Sequence, residues 1–167
     1  MNPLEGRWVF EGGNSSIGFS VRHLMISRVR GNFRRFSGSF EGTTVEVEIE
    51  AASVDTGMEV RDKDLCGPDF LDADRHPVLR YVGTAVREDR VEGTLTVAGV
   101  TRPVALDMVF QGAATDNWGN HKAVFSATAT LNREDFGLTY NRTLETGGVL
   151  IGSQVEVEIE IQAKPEG

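Results

Sequence analysis

The chain has 167 residues, a net charge of −8, one cysteine, 19 glycines and 5 prolines. That length suits a single domain large enough to bury a core without disulfides or a structural metal. The net charge is expected to disfavour nucleic acid and anionic lipid headgroups as partners of the barrel as a whole, the lone Cys66 excludes an internal disulfide, and no stretch reaches the ~18 apolar residues of a membrane-spanning helix.

The first predicted strands cover residues 7–11 and 15–23, with Gly12-Gly13-Asn14 as the turn between them. In the second, Ile17, Phe19, Val21 and His23 share one face. The apolar phase slips after His23 and again between Phe33 and the Phe36, Gly38, Phe40 series, as expected of bulges or bends where strands curl to close a barrel. Around residues 45–51, Val45, Val47 and Ile49 alternate with Glu46, Glu48 and Glu50, and Val155 to Ile161 repeats the alternation at the end of the chain. Each is the pattern of a half-buried strand with water on the glutamate face. Their flanks differ, so shared geometry explains the likeness better than duplication.

Residues 55–77 break this pattern. Asp55 and Thr56 are placed to cap a short helix over residues 59–65, Gly67-Pro68 is a stop signal with Gly67 in the left-handed position, and residues 69–73 form a second turn before His76-Pro77. Strands resume at 78–87, 90–98, 104–112, 122–131 and 149–163. Between them lie turns at 88–89, 99–103 and 116–120 and a longer segment, 132–148.

The inward parity of the later strands is apolar and partly small: Leu95 and Val97, then Val104, Leu106, Met108 and Phe110, then Phe125, Ala127, Ala129 and Leu131. Inward alanines and glycines leave room. An eight-stranded barrel either fills that room with its own side chains or holds one small ligand, and the pattern alone leaves both open.

Catalytic constellations are not evident. There is no Gly-x-Ser-x-Gly elbow, Cys66 has no histidine close by in sequence, and His23, His76 and His121 lack metal-ligand spacing, so neither enzyme activity nor a metal is expected. The six glutamates at positions 46, 48, 50, 156, 158 and 160 lie opposite the apolar parity and form a solvated face. His23 is either a structural histidine bonded to a nearby carboxylate or carbonyl, or the polar contact for a ligand headgroup. Arg61, Asp62, Arg133 and Asp135 are expected to be salt-bridged anchors of the helical segment and the last long loop.

Taken in order, Phe19-x-Val21-x-His23-Leu24, Gly31-x-Phe33-x-x-Phe36-x-Gly38, Ala52-Ser53-Val54-Asp55-Thr56, Arg61-Asp62, Asp69-Phe70-Leu71-Asp72 before Pro77, Gly93-x-Leu95-Thr96-Val97-x-Gly99-x-Thr101 and Asn132-Arg133-x-Asp135-Phe136-Gly137-Leu138 resemble the YceI-like family. The resemblance spans residues 8 to about 163. It implies an all-β fold, an extended eight-stranded antiparallel lipocalin-like β-barrel with a short helical insert, and the binding of polyisoprenoids or other long-chain lipids without catalysis. Gly6-x-Trp8 is also similar to the lipocalin signature, with Trp8 expected to plug a barrel end. Many members of the family carry a secretory signal and work in the periplasm. This chain shows neither a basic n-region nor an apolar h-region at its start, so a cytoplasmic location is expected.

On this resemblance Phe19, Val21, Phe33, Phe36, Leu95, Val97, Met108, Phe110, Phe125, Ala127, Ala129 and Phe136 are expected to line a lumen, with Leu65 and Phe70 as its cover and His23 at its rim. The expected partner is an apolar lipid, a polyisoprenoid or long-chain lipid, with no cofactor, no nucleic acid and no integral membrane segment. The competing reading is a self-filled barrel acting as a stress-related interaction module, with room for a homodimer through a sheet face. An enzyme acting on isoprenoid quinones is a third class.

Overall fold

The computed structural model of the protein describes residues 5–141 and 150–166. Val149 as the start of the last strand and residues 142–148 of the long loop lie outside the described residues. In chain order the elements are β1 (Arg7–Phe10), β2 (Ser16–His23), β3 (Ser27–Phe33), β4 (Phe36–Glu41), β5 (Thr44–Glu50), β6 (Val54–Asp55), α1 (Glu59–Leu65), β7 (Val78–Val86), β8 (Arg90–Val97), β9 (Val100–Thr115), β10 (His121–Asn132) and β11 (Ile151–Pro165).

β1 and β2 both run antiparallel to β11, with Phe10 opposite Ala163 and Ser16 opposite Glu160. They are halves of one long strand, and the 3-10 turn Gly12–Asn14 takes up extra residues between them. The expected chain reversal at Gly12-Gly13-Asn14 is therefore corrected to a break within a strand. β3 with β4 and β5 with β6 are likewise bent halves. The result is a closed barrel of eight antiparallel strands, shut by the pairing of β1 and β2 with β11.

Alternation decides which face of the wall is wet. In β5, Ile49 is buried and Val45 and Val47 half-buried while all three glutamates stay exposed; β11 repeats this with Val155, Val157 and Ile159. The outer carboxylates meet neighbouring arginines, Glu46 and Glu48 at Arg80 and Glu156 at Arg28, exposed pairs that add little stability.

Two turns along the barrel depart from expectation and one agrees with it. Residues 24–26 form a hairpin loop between β2 and β3 instead of a bulge, with Leu24 and Met25 at left-handed φ of 56° and 65°. No glycine or asparagine announces it, so the sequence hides it. The bend between β3 and β4 at Arg34-Arg35 falls where the phase slip placed one. The predicted turn at 99–103 shrinks to Ala98-Gly99, both at positive φ, and Val97 pairs with Val100. Pro103 then sits inside β9, where its missing N–H does no harm because pairing of β9 with β10 begins only at Asp107.

α1 has the predicted bounds, but its N-cap is Met58, without a side-chain cap bond. The helix instead grips the preceding segment. Asp62 Oδ1 accepts from the Thr56 N–H (2.8 Å) and hydroxyl (2.6 Å), and Arg61 donates to Thr56 Oγ1 (2.7 Å) and carbonyl (2.9 Å). Gly67 does not take the left-handed conformation; it is small because the Asp64 carbonyl lies 3.1 Å from where a Cβ would be. Residues 66–76 turn back onto the helix through Leu71 N–H to Leu65 O and Ala73 N–H to Cys66 O, both 2.9 Å.

Candidate functional site

The inward faces of the strands enclose a cavity of about 1130 Å³. Packed interiors leave few voids larger than a water molecule, so this barrel is not self-filled. Every residue expected in the lining or cover reaches the cavity except Phe36. Phe36 is corrected to a packing residue between the two apolar clusters of the barrel. Its register opposite Ile49 still places it on the inward face, but its ring is taken up by packing against both clusters.

The two ends differ. At the end that holds the β4–β5 and β7–β8 turns, Trp8 is 5% exposed, stacks on Phe40 at 6.1 Å and is packed with Ala123, Ile161 and Ala163. Phe40 meets Phe125 edge-on at 5.3 Å, and Phe125 meets Phe110 at 5.1 Å, so a line of rings crosses this end. The inward glycines here do not leave room as expected, because the Phe10 ring occupies the space over Gly38 and the Val45 and Val91 side chains the space over Gly83. The space that remains belongs to Ala127 and Ala129, which line the cavity.

At the other end the cavity meets His23, Arg61, Asp64, Leu65 and Phe70, together with Leu138, Tyr140 and Ile151 beside the last loop. Phe70 packs edge-on against Tyr140 at 5.4 Å, so the insert and the loop touch across the mouth. The loop is built from its own sequence. Asn132 Oδ1 accepts the Glu134 N–H (3.0 Å), a 3-10 turn Arg133–Phe136 buries Phe136, and Gly137 at φ 79° ends it.

Arg133 is buried and donates to the carbonyls of Leu138 (2.6 Å), Gly152 (2.8 Å) and Ile151 (3.3 Å). Burial pulls its pKa below the ordinary arginine value, against the opposing pull of Glu134. The expected salt-bridged anchors are corrected accordingly: Arg133 holds backbone carbonyls, and Arg61 and Asp62 hold Thr56. Carbonyls satisfy a buried guanidinium without a second buried charge.

Tyr81 lines the cavity wall and donates its hydroxyl to the Val104 carbonyl at 2.8 Å. Burial, with a smaller contribution from Glu92, pushes its pKa up to about 12, so it stays a neutral donor. The Cys66 thiol is pushed up by burial first and by Asp62 and Asp74 next, which keeps it protonated and a poor nucleophile. His121 Nδ1 meets Thr115 Oγ1 at 3.2 Å, and the His76 ring lies over Gly99. The His23 ring has no hydrogen-bond partner among the described residues, which leaves it available at the rim. Among the described residues no cluster of His, Cys, Asp and Glu is placed to hold a metal ion, and no helix is long and apolar enough to cross a membrane.

Sequence reasoning missed much of the wall. Ile17, Val45, Val47, Ile49, Val155, Val157 and Ile159 all line the cavity, and their strand parity was sufficient to find them. Leu71, Leu138 and Tyr140 carried no such signal, because they lie outside regular strands.

The sequence matches the YceI-like domain family over residues 8–163. A UPF0312 protein of Staphylococcus aureus (strain MSSA476) is 35% identical over 159 residues, covering 90% of this chain and 93% of that protein. The crystal structure of the Campylobacter jejuni YCEI protein superposes with a TM-score of 0.76 at 28% identity, covering 87% of this chain and 90% of that one. A polyisoprenoid binding domain from Saccharophagus degradans shares the fold at a TM-score of 0.71 and 14% identity, covering 95% of this chain and 98% of that one.

Proposed function

The chain belongs to the YceI-like family, and from that premise and the cavity we propose that the protein binds, and carries or sequesters, an isoprenoid or other long-chain lipid in its lumen. The observation that carries this reading is a void of about 1130 Å³ walled by aliphatic and aromatic side chains. Small-molecule pockets span ~300–1,000 Å³, and at ~30 Å³ per water-sized group the lumen has room for roughly 35–40 of them.

The driving force needs no catalyst. Each methylene-sized group moved out of water contributes about 0.8 kcal/mol. Ten to twenty such groups offset the ordering and association costs and leave affinity at roughly micromolar or tighter. The lipid is the one ligand this reading requires, and no cofactor takes part. Specificity comes from lumen length and width, with the polar head held at the covered end, where the His23 ring is available and Arg61 and Asp64 reach the cavity.

The test is titration of solvent-stripped, refolded protein with a fluorescent prenyl or acyl probe. Saturable binding near one probe per chain is expected. A correctly folded barrel that binds none would overturn the reading and leave an interaction module as the better account.

A further inference from the structure

We propose that the covered end of the barrel docks on an anionic phospholipid bilayer, led by the β2–β3 hairpin tip, so that the lumen mouth faces the membrane. This deepens the lipid-binding reading by naming the surface from which cargo is exchanged.

Three observations meet at this end. The tip is Leu24-Met25-Ile26, three consecutive exposed apolar residues, with Ile26 88% exposed. Leu24 and Met25 hold left-handed φ, a strained conformation for side chains of their size, and such strain persists where function requires it. On the insert at the same end of the barrel, Met58 and Val60 are exposed as well, Val60 at 73%. Isolated apolar side chains on a surface need no explanation, but a contiguous group at a ligand mouth does.

The second observation is charge. The net charge of −8 conceals a stretch from Gly12 to Phe40 with five arginines, at 22, 28, 30, 34 and 35, and no Asp or Glu. Arg34 and Arg35 are matched by Asp55 and Glu50. Arg22 and Arg28 stand directly opposite each other in the β2–β3 register, a like-charge pairing that destabilises a hairpin unless an anion lies between. Glu156 serves Arg28 alone, and neither Arg22 nor Arg30 has an ion-pair partner among the described residues. An apolar tip flanked by unneutralised arginines is complementary to an apolar membrane interior beneath anionic headgroups. The long-range field of the acidic barrel then turns its other faces away from the bilayer.

The third observation is continuity. His23, the last residue of β2, lines the cavity, and the next residue, Leu24, begins the exposed tip and donates its N–H to the Leu150 carbonyl at 2.8 Å. A chain leaving the bilayer at the tip therefore meets the lumen rim at once.

The experiment is flotation of the intact protein with vesicles of phosphatidylcholine alone and with one third phosphatidylglycerol, in low and high salt. The variants are Ile26→Ser, the pair Arg22→Gln and Arg30→Gln, and Trp118→Ser at the opposite end, each checked for fold and for binding of the soluble probe. Binding to anionic vesicles is expected, weaker in high salt, reduced roughly tenfold by Ile26→Ser and about fivefold for each arginine removed, and unchanged by Trp118→Ser. Flotation that ignores the tip variant, or that is lost with Trp118→Ser instead, would overturn the proposal. So would a concentration-dependent dimer that Ile26→Ser dissolves, since the tip would then belong to a second copy of the chain. Retained probe binding alongside failed docking would overturn the docking alone and leave the lumen reading in place.

Discussion

The two ends of the barrel are built on opposite principles. At the Trp8 end, strands pair into the last turns, Trp8 stacks on Phe40, Phe40 meets Phe125 edge-on, and Ala123 and Ala163 have no exposed surface. At the other end lie a helix with no buried residue and a loop held by Arg133, and among the described residues the turns after the helix meet that loop through the ring pair of Phe70 and Tyr140. The cavity also reaches the β4–β5 and β7–β8 turns through Gly42, Thr43, Arg87 and Glu88, so the two ends differ in how densely they are packed, and the lightly packed insert is the part that opens at least cost.

The largest effect should come from removing the buried Trp8 ring. Trp8→Ala is expected to cost about 3–5 kcal/mol of unfolding free energy, read from a denaturant melt. A cost below about 1 kcal/mol would mean that the ring line does not carry the stability of this end.

The contrast sharpens within a single strand. Ala123 and Ala129 both lie in β10, but Ala123 is fully buried while Ala129 lines the cavity. Ala123→Leu should overpack and destabilise by ~1–3 kcal/mol. Ala129→Trp should leave the melt nearly unchanged and weaken probe binding at least tenfold, because the added ring takes lumen volume. Equal destabilisation by both would show that β10 packs the same way along its length.

Loosening the cover comes next. Replacing Leu65 and Phe70 together with Ser should speed probe release in stopped-flow displacement by roughly tenfold and leave most of the stability intact, because the insert contributes little to the sheet. Unchanged release from a folded variant would remove the insert from any gating role.

The smallest effect is chemical. Tyr81→Phe removes the bond to Val104 and should cost about 1 kcal/mol. The folded pKa of Tyr81 lies above its unfolded value, so its stabilising contribution is present below pH 10 and is lost as pH rises towards about 12. Melts across that window should converge for the two proteins, and parallel curves would contradict the assignment.

The wall was legible because alternation is a local property. Val45 to Glu50 declares a wet face and a dry face without reference to any partner strand. The bounds of α1 were legible too, from the break in that alternation. Non-local pairing was not: Gly12-Gly13-Asn14 has the chemistry of a reversal, and only its position beside β11 makes it a break within a strand. The hairpin at residues 24–26 escaped notice because Leu, Met and Ile occupy positions where glycine or asparagine would have announced a turn. Arg133 was expected to seek a carboxylate, yet the carbonyls it holds come from Leu138, Ile151 and Gly152, which only the folded loop brings within reach. The cavity was left open by the sequence, since the same inward list suits a filled core, and Phe10 over Gly38 shows how part of the room was taken.

The most direct test of the central claim is native mass spectrometry of protein purified under mild conditions from several hosts, with mass spectrometry of an organic-solvent extract of the same samples. The account predicts an added mass near one apolar lipid per chain, released by solvent and matched by a prenyl or acyl species in the extract. Folded protein at its bare mass from every host, with no lipid in the extracts, would contradict it.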